Sequence, residues 1–131
     1  MTTDVALAAL ARALDRLDEA LAREIGQDDI VLDATIQRFE FCYELLWKAI
    51  KRAAERHGHA PASPREAFRA AYAMRWIDDE ALWLAMMRDR NLTSHTYKRA
   101  MALEVRGRVL GYAPAMRKAY ETVAAVIAAA E

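Results

Sequence analysis

A chain of 131 residues has the length of one ordinary domain and can bury about two-thirds of its unfolded surface, so it needs no disulfide or metal staple. Its 55% apolar content leans on alanine, with 4 Gly and 3 Pro, a composition that favours helix, and no β pattern competes. Zero net charge argues against a protein that coats nucleic acid by charge alone. No apolar run approaches the ~20 residues that span a bilayer, and Met1-Thr2-Thr3-Asp4 lacks the flank of a signal peptide, so the expected location is the cytoplasm, with no membrane partner.

Leu7, Leu10, Leu14, Leu17, Leu21 and Ile25 recur at steps of three and four, one narrow stripe along a first helix that Thr3 or Asp4 caps and Gly26 ends. Asp28 or Asp29 caps a second helix, from about residue 30 to residue 57. Leu32, Ile36, Phe39, Tyr43, Leu46, Ile50 and Ala53 form its stripe, and Phe41, Leu45 and Trp47 widen it, as on a central helix with several neighbours. Gly58 stops it, and the flanking His57 and His59 read as ordinary exposed side chains, a metal being the rarer alternative. Ser63-Pro64-Arg65-Glu66 is a capping box with proline at the first helical position, opening a short third helix to about residue 74. Asp78 is the expected cap of a fourth helix, in which Trp83 and Met87 are core or dimer interface and Arg88, Asp89 and Arg90 fill the last turn. Asn91-Leu92-Thr93-Ser94 competes with helical backbone and predicts a break there. A last helix starts between residues 98 and 101 and runs to about residue 129, loosened or bent near Leu110 and Gly111 by Pro114. The sum is an all-α, up-and-down antiparallel bundle of about five helices, one domain over residues 1–131.

Cys42 is the single cysteine, and its place in Phe39-Glu40-Phe41-Cys42-Tyr43 predicts a packed thiol. Charge is unevenly distributed along the chain. Residues 88–118 hold eight basic and two acidic side chains, a net +6 that leaves −6 elsewhere. Either a phosphate-binding surface or a solvated face with unmatched arginines accounts for it. Arg90 and His95 stand five positions apart, about 140° around an unbroken helix, and meet in one pocket only if the helix loosens between them. Taken alone, the pair reads equally as an Arg at a helix end and a His capping the next turn. A Gly-rich phosphate loop, a Gly-Ser with paired Asp and a supported Ser-His-Asp set are all missing, so the chain is not expected to transfer nucleotides itself.

Two blocks carry a family resemblance: Ile36-Gln37-Arg38-Phe39-Glu40-Phe41-Cys42-Tyr43-Glu44-Leu45-Leu46-Trp47-Lys48, and Arg90-Asn91-Leu92-Thr93-Ser94-His95-Thr96-Tyr97. Over residues 5 to 128 the chain resembles the nucleotidyltransferase substrate-binding protein family, a branch of the HEPN group that includes the HepT toxins. The resemblance implies a HEPN-like helical homodimer, with higher oligomers left open, encoded beside a minimal nucleotidyltransferase of the MntA type. It implies that Arg90 and His95 of two subunits line one cleft and cut RNA with neither metal nor other cofactor. Asn91 would orient the phosphate or the His ring, and the partner enzyme, as antitoxin, would attach AMP to Tyr97. The chemistry suits the residue types: imidazole moves a proton near neutral pH, and guanidinium holds a charged phosphorane.

Gln37, Glu40, Glu44 and Lys48 follow one another at steps of three, four and four, a polar line on one face of the second helix. Glu40 or Glu44 can pair with Arg90 and orient it, and Glu44 with Lys48 reads equally as a surface pair. Asp33, Gln37 and Glu40 lack a histidine at helical spacing and do not make a metal site. Three functions compete: a ribonuclease toxin, a subunit that binds nucleotide or substrate without breaking a bond, and a purely structural helical dimer.

Overall fold

The Asp4 carboxylate accepts the Leu7 N–H at 3.0 Å and starts α1 (Val5–Leu21) in the computed structural model, which describes residues 4–26 and 28–130. Thr3, the other candidate cap, lies outside the described residues. Leu7, Leu10, Leu14 and Leu17 are buried along the expected stripe. The helix ends at Leu21, before Gly26; Arg106 reaches across from the last helix to the freed Leu21 carbonyl, and Gly26 turns the following segment at φ 73°. Ile25 reaches the core from that segment.

Asp28 accepts the Ile30 N–H at 3.1 Å at the start of α2 (Ile30–Glu55), while Asp29, at the cap position, is drawn instead into an ion pair with Arg99. The stripe from Leu32 to Ala53 is buried as its spacing predicts. Phe41 is not part of a wider buried face: it stays 54% exposed, while Leu45 and Trp47 are half-buried. At α3 (Pro64–Ala73), Ser63 Oγ accepts the Glu66 N–H at 3.2 Å, and Glu66 reaches back to the Ala62 N–H at 3.0 Å.

The cap of α4 (Glu80–Leu92) is Asp79, one residue later than expected, accepting from Leu82 at 3.0 Å. Asp78 is free of that duty and pairs with Lys118 at 3.3 Å. After a 3-10 turn over Thr93–His95, α5 (Arg99–Ala129) runs without interruption through Pro114. Proline costs the Leu110 carbonyl its usual donor but does not divide the helix.

Helix α2 packs against α1, α5 and α3, and α4 lies between α3 and α5, so a single core threads the bundle. The chain is 79% helical, with no strand among the described residues, and no described helix is long and apolar enough to cross a membrane. Trp83 lies in that core, its ring 5.1 Å from Phe68, and Phe39 stacks on Tyr112 at 6.0 Å. Cys42 is fully buried, and burial, helped by the charge of Asp18, pushes its thiol up to about 12, so it is inert at neutral pH.

Arg52 grips Asp4 with two hydrogen bonds, at 2.6 and 3.2 Å, and with the Leu7 N–H holds that carboxyl at about 2, well below the usual aspartate range. A depressed carboxyl contributes stability that is present above its unfolded value and is lost as pH falls through the folded one. Asp4→Ala should therefore lower the melting temperature at pH 7, by the equivalent of about 1 kcal/mol for a half-open pair that is also a cap, and the gap should narrow as pH falls from about 4 towards 2. Thermal melts across pH 2–7 check this; a constant gap between the two curves would remove the ion pair from the account.

Candidate functional site

Polar side chains shape the end of α4. The Thr93 hydroxyl donates to the Arg90 carbonyl at 2.7 Å, Ser94 Oγ to the Asn91 carbonyl at 3.1 Å, and Thr96 Oγ1 to the Thr93 carbonyl at 2.8 Å. Each bond spans three residues and competes for a carbonyl that an α-helix would use, drawing the chain into the tighter turn. Asn91 and Leu92, expected within the break, are still helical, and the change of geometry begins at Thr93.

Arg90 is held from two sides. Its Nη1 donates to Thr93 Oγ1 at 2.9 Å and lies 3.3 Å from Glu40 Oε2, while Glu44 Oε1 stands 3.8 Å from its Nε. That Nε is buried and makes no hydrogen bond among the described residues. Glu44 is itself fixed by the Trp47 indole N–H, which donates to its other oxygen at 3.0 Å, an anchor the Glu44 and Lys48 spacing did not reveal. The pairs with Glu40 and Glu44 are partly open to water, so they add little stability; their effect is to set where the guanidinium points.

His95 ends the 3-10 turn with its side chain exposed, and no hydrogen bond joins it to Arg90 among the described residues. The turn advances about 120° per residue rather than 100°, so the break is a tightening of the helix and not a loosening. Tyr97 is 77% exposed, with Lys98 Nζ 5.9 Å from its ring centre. Thr96 and Tyr97 form one wall of an open groove of about 550 Å³ whose other wall, on α2, includes Asp33, Gln37 and Glu40. Gln37, Glu40 and Tyr97 thus share one groove, whereas Asn91 faces solvent beside it. Among the described residues no group of three or more His, Cys, Asp or Glu side chains is placed to hold a metal ion; His57 packs edge-on against Trp76 at 5.7 Å.

The basic stretch 88–118 is not a +6 surface. Arg90 faces Glu40 and Glu44, Arg99 pairs with Asp29, Arg108 with Asp89, Arg117 with Asp15 and Asp18, and Lys118 with Asp78. Apart from Asp89, these acids come from outside the stretch, so folding cancels an asymmetry that the linear sequence displays.

The spacing of charges also hid a buried network next to the site. Asp89, 4% exposed, receives Nε and Nη2 of Arg108, each at 2.8 Å, and the Tyr112 hydroxyl. Burial and the neighbouring carboxylate raise the Tyr112 phenol, and the carboxylate raises Arg108. Steps of four link Arg108 to Tyr112 along α5, but only packing of α4 on α5 brings Asp89 to them.

The molecule is thus an all-helical bundle with two α2 carboxylates around an arginine at the end of α4, and an exposed histidine and tyrosine just after it. The chain belongs to the family described as nucleotidyltransferase substrate binding protein like, which matches residues 5–125. A protein of Haemophilus influenzae named probable ribonuclease HepT is 35% identical over 86 residues; the match covers 62% of this chain and spans 58% of that relative's length. A crystal structure from Thermus thermophilus superposes with a TM-score of 0.80 at 33% identity, covering 87% of this chain and 98% of the other. A Haemophilus influenzae structure, described as revealing the fold of a substrate binding domain of a nucleotidyltransferase, superposes with a TM-score of 0.79 at 25% identity, covering 89% and 98%.

Proposed function

We propose that this chain is a HEPN toxin of the HepT kind: a metal-independent endoribonuclease, one domain acting in the cytoplasm as a homodimer and neutralised by a minimal nucleotidyltransferase. The observation that carries the reading is the Arg90, His95 and Tyr97 set at the end of α4, with Arg90 oriented by Glu40, Glu44 and Thr93 while His95 and Tyr97 are open to solvent. Its residue order is that of HepT proteins, and the named relative is a probable ribonuclease.

The side chains divide the work. His95 takes the proton of a ribose 2′-OH, whose oxygen attacks the adjacent phosphorus. Arg90 holds the phosphorane charge, and the His95 of a second copy returns a proton to the leaving 5′-oxygen. In this reading two subunits complete the cleft, and each supplies one His95. Asn91 orients the phosphate, and Gln37 lies along the groove wall. Tyr97 Oη is the acceptor for AMP: it bonds to the α-phosphorus of ATP carried by the partner enzyme, pyrophosphate leaves, and the phenolic proton passes to solvent. The added anion lies beside the site and blocks it.

The expected results are growth arrest on expression, RNA cleavage that persists in EDTA, and a mass increase of AMP confined to Tyr97 when the nucleotidyltransferase is co-expressed with ATP available. Harmless expression without cleavage would end the ribonuclease reading; unmodified Tyr97 would end the regulatory one. The family description favours a second reading, a subunit that holds a nucleotide for the partner enzyme. Nucleotide binding without turnover, lost in Arg90→Ala, selects it.

A further inference from the structure

A second groove, of about 340 Å³, runs between α1 and α2 and is lined by Arg12 and Arg16 on one side and Ala34, Gln37, Arg38 and Phe41 on the other. Arg12 and Arg16 are one helical turn apart, about 6 Å along the axis, and both are exposed. Arg38 crosses toward them, its Nη1 donating to the Arg16 carbonyl at 2.7 Å. Among the described residues none of the three pairs with a carboxylate, in contrast to Arg52, Arg90, Arg99, Arg108 and Arg117. Phe41 keeps its ring in water among these charges, against the cost of an exposed aromatic side chain. Ala34 and Gln37 line this groove and the Tyr97 groove alike, so the two adjoin across a low ridge.

The geometry points to the Arg12, Arg16, Arg38 and Phe41 groove as the track for the single-stranded RNA that flanks the linkage placed at His95, an inference that rests on the ribonuclease reading. Each nucleotide brings one anion and one flat ring, which is what three guanidiniums without carboxylate partners, beside one exposed phenyl ring, can hold. Besides Phe41 the apolar lining is Ala9, Ala13, Ala34 and the half-buried Leu45, small or partly covered side chains that give a protein dock little area to bury between the arginines. The track is short and local, so it coexists with zero net charge.

Binding is measured by fluorescence anisotropy with a labelled RNA of about a dozen unpaired nucleotides, on the full chain carrying His95→Ala so that nothing is cut. Adding Arg12→Ala and Arg16→Ala should weaken binding by about tenfold and reduce the slope of log K against log salt by about 1.4, two phosphates' worth. The two Lys variants should restore the slope, and Phe41→Ala should weaken binding by about fivefold or more with the slope unchanged. Melting curves confirm that these exposed substitutions leave the fold intact. Unchanged affinity in both sets overturns the track, as does unchanged RNA binding with lost retention of the nucleotidyltransferase, which would assign the groove to a protein. If the parent chain fails to cut RNA but the titrations shift as stated, the ribonuclease reading falls and the track stands.

Discussion

His95→Ala is expected to lower RNA cleavage in EDTA by about 10²–10⁴-fold, the range that one positioned acid-base group supplies. Its melting temperature should stay within about two degrees of the parent's. The side chain is exposed and makes no hydrogen bond among the described residues, and substitutions at such positions usually shift stability by less than about 0.5 kcal/mol. Activity and stability are therefore separable at His95. They are not at Arg90, whose loss leaves Glu40 and Glu44 facing one another, so Arg90→Lys is the cleaner companion: it keeps the charge and gives up the planar fork. Cleavage by His95→Ala at the parent rate would take the imidazole out of the mechanism and leave binding as the function of the cleft.

The largest expected loss of stability comes from Asp89→Ala, at about 3 kcal/mol. Asp89 is buried between α4 and α5 and accepts three hydrogen bonds, two of them from a guanidinium. Bonds to a charged group contribute about 1.5–3 kcal/mol each, but Arg108 is 44% exposed and can turn to water, which returns part of that. The Tyr112 hydroxyl cannot, and is left buried without a partner. Tyr112→Phe removes one bond and should cost about 1 kcal/mol. Thermal or urea unfolding measures both; for a domain of this size 3 kcal/mol corresponds to a fall of about 10 °C. Asp89→Ala melting with the parent would show that α4 is held on α5 by apolar packing alone. Because Asp89 precedes Arg90, the same packing fixes the end of the helix that presents the site.

Much of the fold was legible in the residues. The leucine stripe of α1, the long apolar face of α2 and the box at Ser63 and Glu66 are local features, decided by periodicity and by hydrogen bonds within a few residues, and each stands in the structure. Where the reading slipped, a distant residue had intervened. Arg106 reaches the Leu21 carbonyl where α1 ends, before Gly26; Lys118 takes Asp78, and Asp79 caps α4 in its place. Residue types alone marked Asn91 to Ser94 as a break, but the back-bonds of Thr93, Ser94 and Thr96 decided that it is a 3-10 turn beginning at Thr93.

The sequence by itself determined the helical class, the order of the elements and the motif from Arg90 to Tyr97, because these depend on neighbours three or four positions apart. Only the tertiary structure decided which charges survive. It joined half of the basic residues of 88–118 to acids far along the chain, and left Arg12, Arg16 and Arg38 without carboxylates beside an exposed ring. A charge is felt over a few ångströms of space, not of sequence, so its partner is chosen by helix packing.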